Sequence, residues 1–121
     1  MWEQELIPDS DTLFLRVHKN NYNKETHVPR PIAFDDHGGA MSTDWNKYST
    51  PEETRNRTPK KPDSYGVLSL IVKDVRSIHN QKVEHTPRLE NRDHTDVIGL
   101  KDTEARIKFS EIFKWEILPP Q

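Results

Sequence analysis

The apolar positions of this chain fall in short clusters separated by polar stretches, and their spacing changes along the sequence. Leu13, Leu15 and Val17 alternate with Phe14, Arg16 and His18. A two-residue period turns successive side chains to opposite faces of a strand. One face therefore carries the three aliphatic residues, and the other carries Phe14, Arg16 and His18. Lys19 to His27 is polar and predicts a loop. Pro29 and Pro31 bracket an extended piece ending at Ile32, Ala33 and Phe34, and prolines confine such a piece to a sheet edge. Asp35 to Gly39, with two adjacent glycines, predicts a turn.

Further along, Thr50 to Arg57 has the signature of a helix start: a capping Thr50, Pro51 in the first position, and Glu53 placed to complete a capping box. Thr58 to Ser64, with Pro59 and Pro62, returns to loop. Gly66 to Val75 holds the densest apolar run, Val67, Leu68, Leu70, Ile71 and Val72. Its length and β-branching predict a central buried strand, then a turn or short helix through Asp74 to Ile78. Lys82 to Thr86 and Thr95 to Leu100 are further strand segments. Asp102 caps a last helix with Glu104 in its first turn and Ala105, Phe109, Ile112 and Phe113 on its apolar face. Phe109, Ile112 and Phe113 are expected to pack on the central strand or its neighbours. Trp115 and Ile117 then alternate in a short strand before Pro119 and Pro120. The expected class is α+β, a small mixed or antiparallel sheet of four to five strands with a short helix and a C-terminal helix.

Composition narrows the function. The 121 residues fit one domain, residues 1–121, with long polar loops. Hydrophobic and charged residues each make up 31%, so the core is small, and the fold leans on polar contacts or on a partner. No apolar run approaches the roughly 18 residues of a membrane span. Met1 to Leu6 carries acids where a secretory leader carries a basic and then an apolar region, so a cytoplasmic location without membrane contact is expected. The absence of cysteine excludes disulfides, thiolate zinc sites and thiol nucleophiles. With four glycines there is no P-loop and no dinucleotide fingerprint, and no nucleophile-elbow motif is present.

Several side chains remain as candidates. Trp2, Trp45 and Trp115 stand out in a chain poor in apolar residues and are candidate anchors for a protein partner; the alternative is that they sit in the chain's own core. Arg55, Arg57, Lys60 and Lys61 form a basic stretch that can contact phosphates of nucleic acid. The net charge of −2 and the neighbouring Glu52, Glu53 and Asp63 favour an ordinary solvated loop instead. The six histidines are His18, His27, His37, His79, His85 and His94. His94 and Asp96 alternate on a strand and could join His85 around a metal, but the spacing matches no closed site, so neither metal nor cofactor is expected.

Arg16 and His18 share one strand face, and Ser42, Thr43 and Asp44 follow the glycine turn. Arg16 can grip a phosphate or carboxylate through two parallel hydrogen bonds. The order resembles that of ADP-ribosyltransferases, in which an Arg or His on an early strand and a later Ser-Thr strand cradle a nicotinamide dinucleotide. The resemblance implies Arg16, His18 and Ser42 as site residues and leaves Glu84 and Glu90 as candidates for the acid that acts on the ribose. Without it, the same residues read as a salt-bridged arginine and a surface turn. A broader series comprises Leu13 to His18, Ala33-Phe34, Met41 to Asp44, Gly66-Val67, and His94 with Ile98. It resembles a group of small uncharacterised bacterial proteins and implies a bacterial, cytoplasmic origin without a mechanism. The leading expectation is a binding protein, an accessory or regulatory component of a bacterial multiprotein system such as a defence system, with another protein as partner. The alternative is an ADP-ribosyltransferase-like enzyme, and the third is a nucleic-acid-binding accessory protein.

Overall fold

A computed structural model describes every residue except His37, from the expected glycine turn, and Pro59, from the expected proline loop. Among the described residues six strands form one antiparallel sheet. They are β1 (Thr12–His18), β2 (Ala40–Trp45), β3 (Tyr65–Ile71), β4 (Lys82–His85), β5 (His94–Ile98) and β6 (Lys114–Ile117), in the spatial order β4-β5-β2-β1-β3-β6. The helices are α1 (Pro51–Asn56), α2 (Val72–Ser77) and α3 (Thr103–Ile112). The class is α+β, as the pattern predicts, with six strands rather than four or five.

β1 is the organising strand. Leu13, Leu15 and Val17 lie opposite Leu70, Leu68 and Gly66 of β3, and Leu13 also faces Trp45 of β2. These side chains meet Val72 and Val75 of α2 and Ala105 and Phe109 of α3 in a single core. Phe34 stacks on Phe109 with ring centroids 5.2 Å apart, and Ile112 and Phe113 pack half-buried at the margin. Gly66 is required by a close approach: a Cβ there would stand 2.5 Å from the Ile117 carbonyl oxygen and from Pro119 N. The capping box of α1 forms as its sequence predicts, with Glu53 N donating to Thr50 Oγ1 at 3.2 Å and Thr50 N to Glu53 Oε1 at 3.1 Å.

Two expectations are corrected, and one strand goes beyond them. The Pro29–Phe34 piece is not an edge strand: Pro31–Ala33 is a 3-10 turn, closed by Phe34 N donating to the Pro31 carbonyl at 3.1 Å, and it drops Phe34 into the core. The Val67–Val72 run is buried except at the exposed Ile71, and its strand is interior but next to the edge, because β6 alone lies beyond β3 while β2 and β1 occupy the middle of the sheet; Val72 already begins α2. Ala40–Trp45 is a full strand that entered above only through a family resemblance. Met41, Thr43 and Trp45 point to the buried side, but the inward Thr43 and outward Asp44 are both polar, so no alternation shows in the sequence.

The core reading predicts that Phe109→Ala destabilises the protein by about 3–5 kcal/mol, since it empties a fully buried site and removes a stacked ring. Urea unfolding measures this, and a loss below about 1 kcal/mol would place α3 outside the core.

Candidate ligand-binding cleft

The face of the sheet opposite the core is covered only in part. α1 lies over β1 and β3, where Phe14 and Val67 are buried beneath it. Toward β2 and β5 the same face is open and polar. Phe14, Arg16, Ser42, Asp44, Arg57, Arg88, Glu90, Asn91 and His94 line a cleft of about 320 Å³ there. The β-register explains the gathering: Phe14 lies opposite Asp44, Asp44 opposite His94, and Ser42 opposite Asp96, so polar positions of three adjacent strands face the same way.

One end of the cleft is held by charge. Arg57, just past α1, brings Nη1 within 2.8 Å of Asp44 Oδ2, 2.7 Å of Asp93 Oδ2 and 2.9 Å of Ser49 Oγ. Ser49 Oγ is 2.9 Å from Thr54 Oγ1, which ties the group to the helix. Nη1 has two protons for three acceptors. Asp44 and Ser49 receive them, so Asp93 meets Arg57 as an ion pair without a proton of Nη1 aimed at it. Burial, then the adjacent Asp44 carboxylate, push Asp93 up to about 7 against the pull of Arg57.

The other end is assembled around His94. The turn between β4 and β5 is closed by reciprocal backbone bonds between Arg88 and Asn91, each at 3.0 Å, which hold Arg88, Glu90 and Asn91 along the rim. His94 Nδ1 lies 3.1 Å from the Thr86 carbonyl oxygen and 3.0 Å from Thr86 Oγ1. A carbonyl only accepts, so Nδ1 carries the proton and Nε2 offers a lone pair. Ser42 Oγ stands 3.3 Å from that Nε2, and Asp96 Oδ1 lies 3.8 Å from it. Burial and then the positive Arg88 hold His94 below its ordinary value, against the weaker opposing pull of Asp96.

Arg16, Ser42 and His18, the residues singled out on the sequence, also meet in a second recess of about 320 Å³ lined by Asn21, Asp35, Thr58 and Tyr65 as well. Arg16 and Ser42 form a wall of both recesses. Arg16 is half-buried, and its Nη1 donates to the Thr54 carbonyl at 2.9 Å. Among the described residues neither Arg16 nor Arg88 is paired with a carboxylate, so Arg16 is not the salt-bridged arginine considered above. His18 packs edge-on against Tyr65 with centroids 5.1 Å apart, and its Nδ1 accepts from Asn20 N at 3.1 Å.

The remaining candidates are dispersed. His85 does not join His94 and Asp96, because in the β4–β5 register it lies opposite Thr95 and points to the core side. There it is wedged against Trp45, with Nδ1 accepting from Glu5 N at 2.9 Å. Trp45 is 1% exposed and belongs to the core, so it is not a surface anchor. Trp115 is half-buried, its Nε1 donating to the His27 carbonyl at 2.6 Å, while Trp2 is exposed beneath the Arg92 guanidinium. The basic stretch does not act as a unit: Arg57 is neutralised inside the cleft, whereas Lys60 and Lys61 are exposed. Asp93 and the Ser42–His94 contact were missed on the sequence; Ser42 and His94 are 52 positions apart, and only the β2–β5 pairing joins them. No helix among the described residues is long and apolar enough to cross a membrane. Comparison with family models, curated proteins and solved structures finds no match for the chain.

Arg57→Ala is expected to cost about 3–5 kcal/mol, because it strands two buried carboxyl groups. Asp93 has the opposite sign. Its folded pKa is raised, so its contribution is fully present below the ordinary carboxyl value of 3.8 and is lost as pH rises toward about 7. Asp93→Asn therefore gains stability over the parent chain as pH goes from about 5 to about 8. Thermal melts across that range measure the difference, and parallel curves would remove Asp93 as the source.

Proposed function

We propose that the chain is a small binding module that holds an anionic group of its ligand, a phosphate in the first instance, in the cleft between Arg16 and Arg88. The observation that carries the reading is two arginines without carboxylate partners among the described residues, on one cleft with a serine hydroxyl and a neutral histidine. Arg57 supplies the contrast, since its charge is spent on Asp44 and Asp93. Guanidinium groups left free of carboxylates suit bidentate recognition of phosphate oxygens. The binding role proposed from the sequence is kept, and its site moves from the tryptophans to the cleft. An accessory role in a bacterial multiprotein system fits a module of this size.

A second reading, an ADP-ribosyltransferase-like enzyme acting on a nicotinamide dinucleotide, is favoured by the recess that Arg16, His18 and Ser42 share. The acid that reading needs would be Glu90, which lines the adjoining cleft, rather than Glu84, which sits on β4 opposite Asp96.

Calorimetric titration with inorganic phosphate and with a phosphate monoester tests the proposal. Arg16→Ala and Arg88→Ala should each weaken binding about tenfold or more, the scale of one lost charged hydrogen bond, while leaving the melting temperature nearly unchanged. Lys60→Ala, away from the cleft, should bind normally. Undiminished binding in both arginine variants would refute this location. Tight binding of the dinucleotide without phosphate binding would favour the second reading.

A further inference from the structure

We propose that Ser42 is a nucleophile and His94 its general base, and that the cleft transfers a phosphoryl group from a phosphate ester onto the Ser42 hydroxyl. The inference rests on the cleft being the ligand site. It goes further by giving the site a reaction and naming its substrate class.

The geometry has the parts such a step needs. Ser42 is solvent-exposed on an interior strand, so a ligand reaches Oγ while pairing with Asp96 of β5 fixes its backbone and β1 pairs β2 two residues further on, at Asp44. His94 is buried, and its 3.3 Å separation from Ser42 Oγ is of the loose kind a nucleophile–base pair shows without substrate. The Thr86 carbonyl is the third group, holding the ring through Nδ1 and leaving Nε2 to receive a proton. Once Nε2 is protonated, Asp96 Oδ1 at 3.8 Å faces the imidazolium. Arg16 and Arg88 stand on the same cleft to stabilise charge on the phosphoryl oxygens.

The step is balanced as follows. Ser42 Oγ attacks phosphorus, its proton passes to His94 Nε2, the bond from phosphorus to the ester oxygen breaks, and His94 returns the proton to that departing oxygen. Water then attacks the phosphoseryl group, giving its proton to His94, which passes it to Ser42 Oγ as the phosphate leaves.

A fluorophosphonate probe tests the nucleophile directly, since Ser42 Oγ would bond to phosphorus while fluoride departs. Mass spectrometry should place one adduct on Ser42 in the intact chain and none in Ser42→Ala, whose exposed position leaves the melting temperature unchanged. His94→Gln should slow labelling at least tenfold. If that variant melts low, the labelling rate of the intact chain against pH replaces it, with a fall expected as His94 protonates below pH 6.5. Arg88, Asp96, Asp44 and Glu90 are the charged groups around that ring, and Asp93, the preceding residue, is held up to about 7, so the profile is repeated in Asp93→Asn, where the fall should persist. Inorganic phosphate should protect against labelling. Phosphate binding without any Ser42 adduct would overturn the nucleophile and leave the binding proposal standing, and loss of both would overturn both. An adduct forming equally fast in a well-folded His94→Gln would overturn the base.

Discussion

Arg57 reaches from the end of α1 to Asp44 on β2 and to Asp93, the residue before β5. The helix α1, which shares no backbone pairing with β2 or β5, is thereby tied to those two paired strands at one point on the outer face of the sheet. The position of α1 over β1, the depth of the cleft and the approach of the β4–β5 turn all depend on that junction. The arrangement is costly in isolation, since it buries two carboxyl groups against one cation, and one of them answers by holding its proton to about pH 7. What it provides is a defined place for polar groups that a fully apolar layer could not organise.

The need for such a device follows from composition. With 31% hydrophobic residues the chain can furnish one apolar face of a six-stranded sheet, and that face is well filled by Trp45, Phe34, Phe109 and the aliphatic row of β1. The second face receives Phe14 and Val67 under a six-residue helix and little else that is apolar. Past α1, exposed Ser42 and half-buried Arg16 and Asp96 meet solvent. The thin apolar supply therefore shows itself as an uncovered polar surface rather than as a loose core.

Local signals were legible wherever a single segment decided its own conformation. The alternation in β1, the capping box of α1, the Asp102 cap of α3, where Asp102 Oδ1 accepts from Ala105 N at 2.8 Å, and the short β6 all follow from neighbouring residues alone. The failures share one cause. β2 is a strand because β1 and β5 pair with it on both sides, and its inward Thr43 bonds the Thr95 carbonyl at 2.9 Å, so the decisive interaction lies in another segment. Pro31–Ala33 turns instead of extending because Phe34 has Phe109 to reach. In the cleft, Arg16 and Ser42 could be chosen from the sequence by residue type and strand face. His94 does lie beside Asp96, as their alternation implies, but His85 faces the other side, because the parity between β4 and β5 is set by their pairing and not by either segment alone.

The three arginines of the cleft show how placement divides the same side chain into different tasks. Arg57 has carboxylates on it and serves the fold. Arg16 is oriented by a neutral acceptor, the Thr54 carbonyl, which fixes its direction, and among the described residues no carboxylate is paired with it. Arg88 stands on the rim, and its field helps to keep His94 unprotonated. An anion entering between Arg16 and Arg88 would offset the field that disfavours His94⁺, so ligand binding and a proton arriving on His94 would reinforce each other. A base of this kind stays neutral in the empty cleft and tolerates a proton only when the negatively charged group is present. That is the order of events a proton-accepting histidine beside a phosphate requires.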